Sequence, residues 1–443
     1  MKNIPIVNFE EEYKMMEKKI ANFRLKKNIL IGSVIACIAT ATIGIGIIHT
    51  KVTGNSNINV AKKVGEEPQA ITISTREKNS NNYTAVISED DLEVPVPKGY
   101  VASPDAEERY VNGVTTDGVR VHHGGFVIYE RLASDAGKTD EQVQQVIEGN
   151  LDVAQRTRNQ WVWVPITNVT DMYHTSGNLI YANQYTFSAS TYTKNTSRTY
   201  EPNVFSSTYY DRDNNDLKQY LEGISRNEFL QEMREEFYEM LESVKTYKGY
   251  YIGRYETGNT QKNNLRVVKG YTGTMRSGDV NNRINYITWY DAYRRSKRMR
   301  GMSPVYTNLI WGIQWDETLK WLIDSGEKTY AEVGSNSSTW GNYQGVSFTY
   351  TQTSGVTADG AGTVAGGTAT KSNSYTIIPT VATERNKANN IYDLAGNMVE
   401  WTMESTSDTR QFRGGEYYGF GNSVPAHYRS GNRSYFRSDN VRV

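Results

Sequence analysis

Asn389–Glu404 reads NNIYDLAGNMVEWTME, and Phe412-Arg413-Gly414-Gly415 follows a few residues later. The block combines turn formers, two carboxylates and a Trp of the kind that fills cores. Asp393, Gly396 and Glu400 are spaced D-x-x-G-x-x-x-E. A backbone bent at Ala395-Gly396-Asn397 brings two carboxylates and the intervening carbonyls toward one point. Such all-oxygen shells suit calcium. The same spacing also serves a plain turn with two solvated acids, so the pattern by itself leaves both readings open.

The block resembles the C-terminal signature of the formylglycine-generating enzyme (sulfatase-modifying factor) family, in which an N-x-x-G-N-x-x-E-W run precedes R-G-G. Gly249-Tyr-Tyr-Ile-Gly-Arg-Tyr-Glu-Thr257 is similar to an early strand of that family, Ile287-Thr-Trp-Tyr-Asp-Ala292 to a helix start, and Trp161-Val-Trp-Val-Pro165 to its first strand. The resemblance covers Gln160 to Val443. It implies an α+β fold, an irregular C-type-lectin-like domain of short strands and long loops. It also implies a structural calcium held by the residues at Asp393, Gly396, Met398 and Glu400, with Asp393 standing where the family has Asn. At the C-terminus Asn440-Val-Arg442 replaces the family's G-F-R, while Arg413 and Arg442 are expected in the frame.

Enzymes of that family use a pair of cysteines near the C-terminus that bind copper, a task for soft thiolates. The matching stretch here, Pro425-Ala-His-Tyr-Arg-Ser-Gly-Asn-Arg433, has no thiol, and the single cysteine of the chain is Cys37. The resemblance therefore implies the fold without the copper chemistry, and no copper is expected. The alternative is a divergent metal-dependent oxidase of the same family acting on a peptide or small thiol.

Cys37 lies within Asn28–Thr50, NILIGSVIACIATATIGIGIIHT, which has no Lys, Arg, Asp or Glu. As a helix it spans ~30 Å of hydrocarbon. Lys18, Lys19, Arg24, Lys26 and Lys27 precede it, which predicts a cytoplasmic N-terminus. The reading is a single-pass protein of the cell membrane with its C-terminal domain outside. A cleaved signal peptide and a lipoprotein box at Val34-Ile-Ala-Cys37 are the competing readings. The organisation is then a cytoplasmic segment (1–27), a signal anchor (28–50), a polar linker (51–91), lead-in strands (92–159) and the sulfatase-modifying-factor-like domain (160–443). With 49 basic and 49 acidic side chains the net charge is +0, so there is no basic excess of the kind that marks nucleic-acid binding.

Strand-like runs occur at Leu92–Val101, Gly125–Tyr129 and Gln160–Pro165. Helices are expected at Arg226–Thr246, with a capping box from Ser225 and Glu228 and Gly249 ending it, from Trp289 onward, and at Gln314–Asp324. The second would expose Arg294, Arg295, Lys297, Arg298 and Arg300 as a solvated face. Ser335–Ser374, rich in Gly, Ser and Thr, reads as a long surface excursion. His122-His123 is a poor chelate, because adjacent strand residues face opposite ways.

The candidate ligand surface is the tail. Tyr417, Tyr418, Phe420, His427, Tyr428, Arg429, Arg433, Tyr435 and Arg437 are interleaved with Gly, Ser and Asn. Tyr gives contact area at low entropic cost, and the small polar residues adapt. These residues are expected to meet an extracellular protein or glycan, although part of the aromatic set would also serve as core.

Overall fold

A computed structural model describes residues 73, 78, 81–114, 117–177, 179–200, 226–261, 264–267, 269, 287–299, 303–352, 367–405, 409–432 and 441–442. The span read at Asn28–Thr50 and the Ser225 cap lie outside them. No helix among the described residues is long and apolar enough to cross a membrane.

The molecule mixes helix and sheet in the α+β manner. The strands β1 (Tyr83–Ile87), β2 (Glu93–Pro97), β3 (Tyr100–Ala102) and β4 (Phe126–Glu130) lead in, followed by helices α1 (Asp140–Gly149) and α2 (Leu151–Thr157) and strand β5 (Gln160–Pro165). Next come β6 (Tyr173–Ser176), β7 (Leu179–Phe187), β8 (Tyr192–Tyr200), helix α3 (Arg226–Tyr247) and β9 (Gly249–Gly253). β10 (Gly258–Gln261), β11 (Asn264–Arg266), α4 (Trp289–Ser296), α5 (Gly312–Asp324) and α6 (Tyr330–Gly334) precede the hairpin of β12 (Phe348–Gln352) and β13 (Gly367–Lys371). The chain closes with β14 (Lys387–Ala388), β15 (Ile391–Tyr392), β16 (Val399–Ser405), β17 (Arg410–Arg413), β18 (Arg429–Asn432) and β19 (Val441–Arg442).

One antiparallel sheet runs β3-β4-β5-β9 and another runs β18-β17-β16-β19, with β16 and β19 parallel. Side chains alternate across a strand, and both faces of the first sheet are buried. Val127, Tyr129, Val162 and Val164 enter the main core, whereas Phe126, Ile128 and Trp163 meet Val94 and Val96 of β2 on the other side. The β1–β2 hairpin that covers that face begins inside the stretch read as linker. Asp91, at φ 59°, makes its tight return possible, and the surrounding polar residues hid a strand that buries only its partner's side.

Helix α3 sinks Phe229, Met233, Phe237, Leu241 and Val244 as the periodicity requires. Gly249, however, does not end it. Lys248 takes the left-handed position at φ 68° and donates its amide to Val244 O. Gly249 is instead set against β5, where a Cβ would lie 2.4 Å from the Trp163 ring. Helix α4 starts on Thr288, whose hydroxyl accepts from the Asp291 amide. Its basic run is a solvated face only in part: Arg298 is exposed, whereas Arg294, Arg295 and Lys297 are half-buried, Lys297 pairs with Glu236 and packs 4.0 Å from the Tyr293 ring centroid, and Arg300 lies outside the described residues. The described residues of the Gly-rich excursion include core positions and a hairpin. Trp340 and Tyr343 are core, and β12 pairs with β13 from Phe348↔Lys371 to Gln352↔Gly367.

Two tryptophans lock α4 to the C-terminal sheet by reciprocal hydrogen bonds. Trp289 Nε1 donates to Thr402 O at 2.7 Å, and Trp401 Nε1 donates to Ile287 O at 3.0 Å. Both rings are fully buried, so each indole N–H needs a partner, and the other element's backbone supplies it.

Candidate functional site

The signature turn is built from left-handed residues. Asn389, Asn390, Asp393, Gly396 and Asn397 all have φ between 43° and 72°, a region that Asn and Asp tolerate better than other side chains. Their amides then tie distant segments together. Asn389 Oδ1 accepts from Gly124 N at 2.9 Å and from Arg120, and Asn390 Nδ2 donates to Gly124 O and Gly125 O. Asn397 Oδ1 accepts from Asn342 Nδ2 and Ile378 N, while its Nδ2 donates to Glu256 at 2.5 Å. The NNxxDxxGN spacing thus encodes a junction between the first sheet, the 342 segment and the C-terminal sheet.

Of the residues expected around calcium, Asp393, Met398 and Glu400 are buried, and Gly396 sits at φ 72°. Asp393 Oδ1 accepts from Asn386 Nδ2 at 2.8 Å. Glu400 lies under Gly414, where a Cβ would come within 2.7 Å of Glu400 Oε2 and 3.2 Å of Leu394 O. Among the described residues no group of three or more His, Cys, Asp or Glu is gathered as a metal cluster.

Beneath the R-G-G lies a closed ring of four charges. Arg413 donates to Asp316 Oδ1 at 2.5 Å and to Glu404 Oε2 at 3.0 Å. Arg429 returns to the same two acids, reaching Asp316 Oδ2 at 2.8 Å and Glu404 Oε1 at 2.5 Å. Asp316, Arg413 and Glu404 are essentially inaccessible, and Arg429 is mostly covered. Tyr185 N and Gln184 Nε2 complete the shells of the two acids. Burial opposes the charge on Asp316, yet Arg413 and Arg429 beside it hold the carboxyl below the usual range. Four charges of alternating sign satisfy one another, so the ring is a frame rather than an open anion site.

Arg429, expected at the ligand surface, therefore points into the frame. Tyr418 and Phe420 are exposed, at 41% and 49%, on the loop that follows Gly415. Tyr417 and Tyr428 are half-buried, and Tyr417 N donates to Asn397 O. His427 is half-buried; its Nδ1 faces Val333 O at 3.0 Å, which assigns the proton to that nitrogen. Burial, reinforced by Arg413 and Arg429, lowers its pKa. Arg433, Tyr435 and Arg437 lie outside the described residues. His122 and His123 separate as expected, one against Glu107 and the other against Glu327.

Glu317, adjacent to Asp316 on α5, was not legible as special. It is buried, the Tyr185 hydroxyl hydrogen-bonds it, and its Oε1 has no partner among the described residues. Burial pushes its pKa up to about 7. The folded state then keeps this proton longer than the unfolded chain, so its contribution is intact below the unfolded value and declines as pH rises through about 7. The loss totals about 3 kcal/mol. Glu317→Gln is expected to remove it: urea unfolding at pH 5 and pH 8 should show the variant gaining on the wild type by about that amount at the higher pH. Parallel behaviour of the two proteins across that range would contradict the assignment.

Compared with family models, curated proteins and solved structures, the chain matches none of them.

Proposed function

We propose that this chain is a membrane-anchored extracellular recognition protein that uses a formylglycine-generating-enzyme-like, C-type-lectin-like domain without the copper-binding cysteine pair. The observation that carries the reading is the contrast between the two sides of the R-G-G. Arg413 is spent on a buried frame, while the loop beyond it presents Tyr418 and Phe420 to solvent. Binding surfaces use such aromatics as anchors. The absence of any cysteine other than Cys37 supports recognition over thiol oxidation. The apolar stretch Asn28–Thr50 with its basic flank supports the anchor and the outward placement of the domain.

The test is capture by the full chain from cell-surface protein and glycan preparations, with Tyr418→Ala and Phe420→Ala as controls. Retained capture by the double variant would place the working surface elsewhere. Oxygen consumption with a cysteine peptide and copper would overturn the reading.

A structural calcium belongs to the same proposal. Asp393 and Glu400 supply hard carboxylate oxygens, and Gly396 and Met398 supply carbonyls, a donor set of the type calcium takes. Calcium at a hundredfold above its Kd should add about 2.7 kcal/mol of stability. Scanning calorimetry in calcium and in chelator checks this, and identical Tm values would exclude it.

A further inference from the structure

The hairpin of β12 and β13 is a two-stranded sheet with one edge tied down and the other open. On the β12 side Thr351 N donates to Ala382 O at 2.7 Å, so this amide points away from β13. Backbone groups alternate in direction along an antiparallel strand. Phe348, Tyr350 and Gln352 therefore turn theirs toward Lys371, Ala369 and Gly367. On β13 the groups left facing outward are the N–H and C=O of Thr368 and Thr370. Among the described residues no other backbone group bonds to them.

This open edge is firmly held and uncharged. The inner face of the hairpin packs Phe348, Tyr350 and Ala369 on Ile378 and Ala382. The outer face carries Thr349, Thr351, Thr368 and Thr370, all exposed. Lys371, the one charged side chain of β13, is 1% exposed and turned inward. Its ammonium donates to Tyr343 O and lies 5.5 Å from the Phe348 ring centroid, with the Arg385 guanidinium 4.9 Å from the same centroid. Natural sheets blunt an open edge with outward lysines, prolines or bulges. From Gly367 to Thr370 there is no Lys and no Pro, and the β12–β13 register runs without a bulge.

We propose that β13 is a self-association edge, on which two copies of the chain join antiparallel about Ala369 and fuse their hairpins into one sheet. The edge is complementary to itself. With Ala369 opposite its own counterpart, Thr368 meets Thr370 of the second copy and Thr370 meets its Thr368. All four of these residues turn their backbone groups to the junction. A hydrogen-bonded antiparallel pair exchanges both of its N–H···O bonds, so each Thr–Thr pair is fully bonded and the contact closes as a two-fold. Cross-strand threonines also favour one another. A slip by one residue sets outward groups against inward ones, which specifies the register. A foreign peptide would need only an extended backbone, and no side chain of this neutral edge selects it. A second copy is selected by the palindrome Thr368-Ala-Thr370 and by the absence of like charges across the join. Two short strands bury less than the roughly 1,200 Å² of stable complexes, so pairing should be reversible and rise with chain concentration. Self-pairing makes no use of the loop beyond the R-G-G, and stands or falls apart from the recognition reading.

The experiment mixes two full-length variants in detergent micelles, Thr368→Cys and Thr370→Cys, each in a Cys37→Ser background because Cys37 is the one native thiol. Mild oxidation is expected to cross-link the mixture and neither variant alone. Opposed residues of a bonded pair are about 5.5 Å apart at Cα, within disulfide reach, whereas like positions lie on the diagonal at about 7–8 Å. Light scattering of the unmodified chain should show the protein mass rising toward that of a dimer with concentration. Thr370→Pro should hold it at the monomer, since proline deletes an outward donor and leaves the bonds to β12 in place. The comparison of mixture with single variants stands even if the proline variant fails to fold. Equal cross-linking of each variant alone would overturn the register and with it the proposal. A mixture that does not cross-link would overturn it outright, whether the chain is a monomer or a dimer held by another face. A dimer mass unchanged by Thr370→Pro would do the same.

Discussion

Replacing Arg413 with methionine should remove about 3–5 kcal/mol of stability, because it strips the shared partner from two buried carboxylates. Asp316 and Glu404 have no route to solvent, and Arg429 alone reaches one oxygen of each. A loss of that size is a large part of the total for a typical domain. Arg413→Lys should recover little, since a single ammonium cannot reproduce the fork that serves both acids. Urea unfolding gives the measurement. Restoring neutrality with Asp316→Asn and Glu404→Gln in the Met background should return part of the loss, and that non-additivity is the signature of a coupled network. A Met variant within about 1 kcal/mol of wild type would show that the ring is not a unit. The same ring sets an acid limit. Because the Asp316 pKa is depressed on folding, its contribution is present above the unfolded value of about 4 and is lost as pH falls through the folded one.

Gly125→Ala is the second large effect. The residue has φ +96°, and a Cβ would lie 1.8 Å from Asn389 O and 2.5 Å from its carbonyl carbon. Neither atom can move without breaking the Asn389 and Asn390 bonds to Gly124 and Gly125. Overpacking plus the left-handed conformation should cost about 3 kcal/mol or more. Gly118→Ala is the matched control: φ is +80°, with nothing within 4 Å of the added carbon. Its cost should be confined to about 1 kcal/mol of backbone conformation. The difference in thermal unfolding between the two isolates the contact, and similar values would mean that the first sheet and the signature turn are not pressed together.

Helices α3 and α5 were legible because their apolar residues recur at the helical period, and the two inner strands because aromatic and β-branched residues cluster between turn formers. Helices α1 and α2 were not read, since they bury only Val143, Ile147 and Ala154. The D-x-x-G-N turn was legible as a turn, since Gly and Asn stand where left-handed backbone is needed. What the sequence could not convey is partnership at long range. Arg429 reads as a surface arginine until Asp316, 113 residues away, is seen to hold it. Lys371 and Arg385 stand among Ser, Thr and Asn, and nothing nearby in sequence announces that a phenylalanine joins them. Gly249 shows the reverse error: its position past α3 fits a helix terminator, but the constraint comes from Trp163 on a strand read much earlier. Glu317 sits among ordinary helix formers, and only burial separates it from a solvated acid.

Arg413 and Arg429 bracket the stretch 414–428, and both are fastened to the same pair of acids. The segment between them is therefore closed at its base like the bezel of a ring, and backbone bonds from Tyr417 to Asn397, from Gln344 to Gly419 and from Ser337 to Gly421 seat its tip on the frame. Length added at such a tip raises the closure entropy only slowly. A graft is therefore best confined to the exposed side chains at Tyr418 and Phe420, or to residues added beside them, with Gly421 kept because a Cβ there would lie 2.4 Å from Ser338 Oγ.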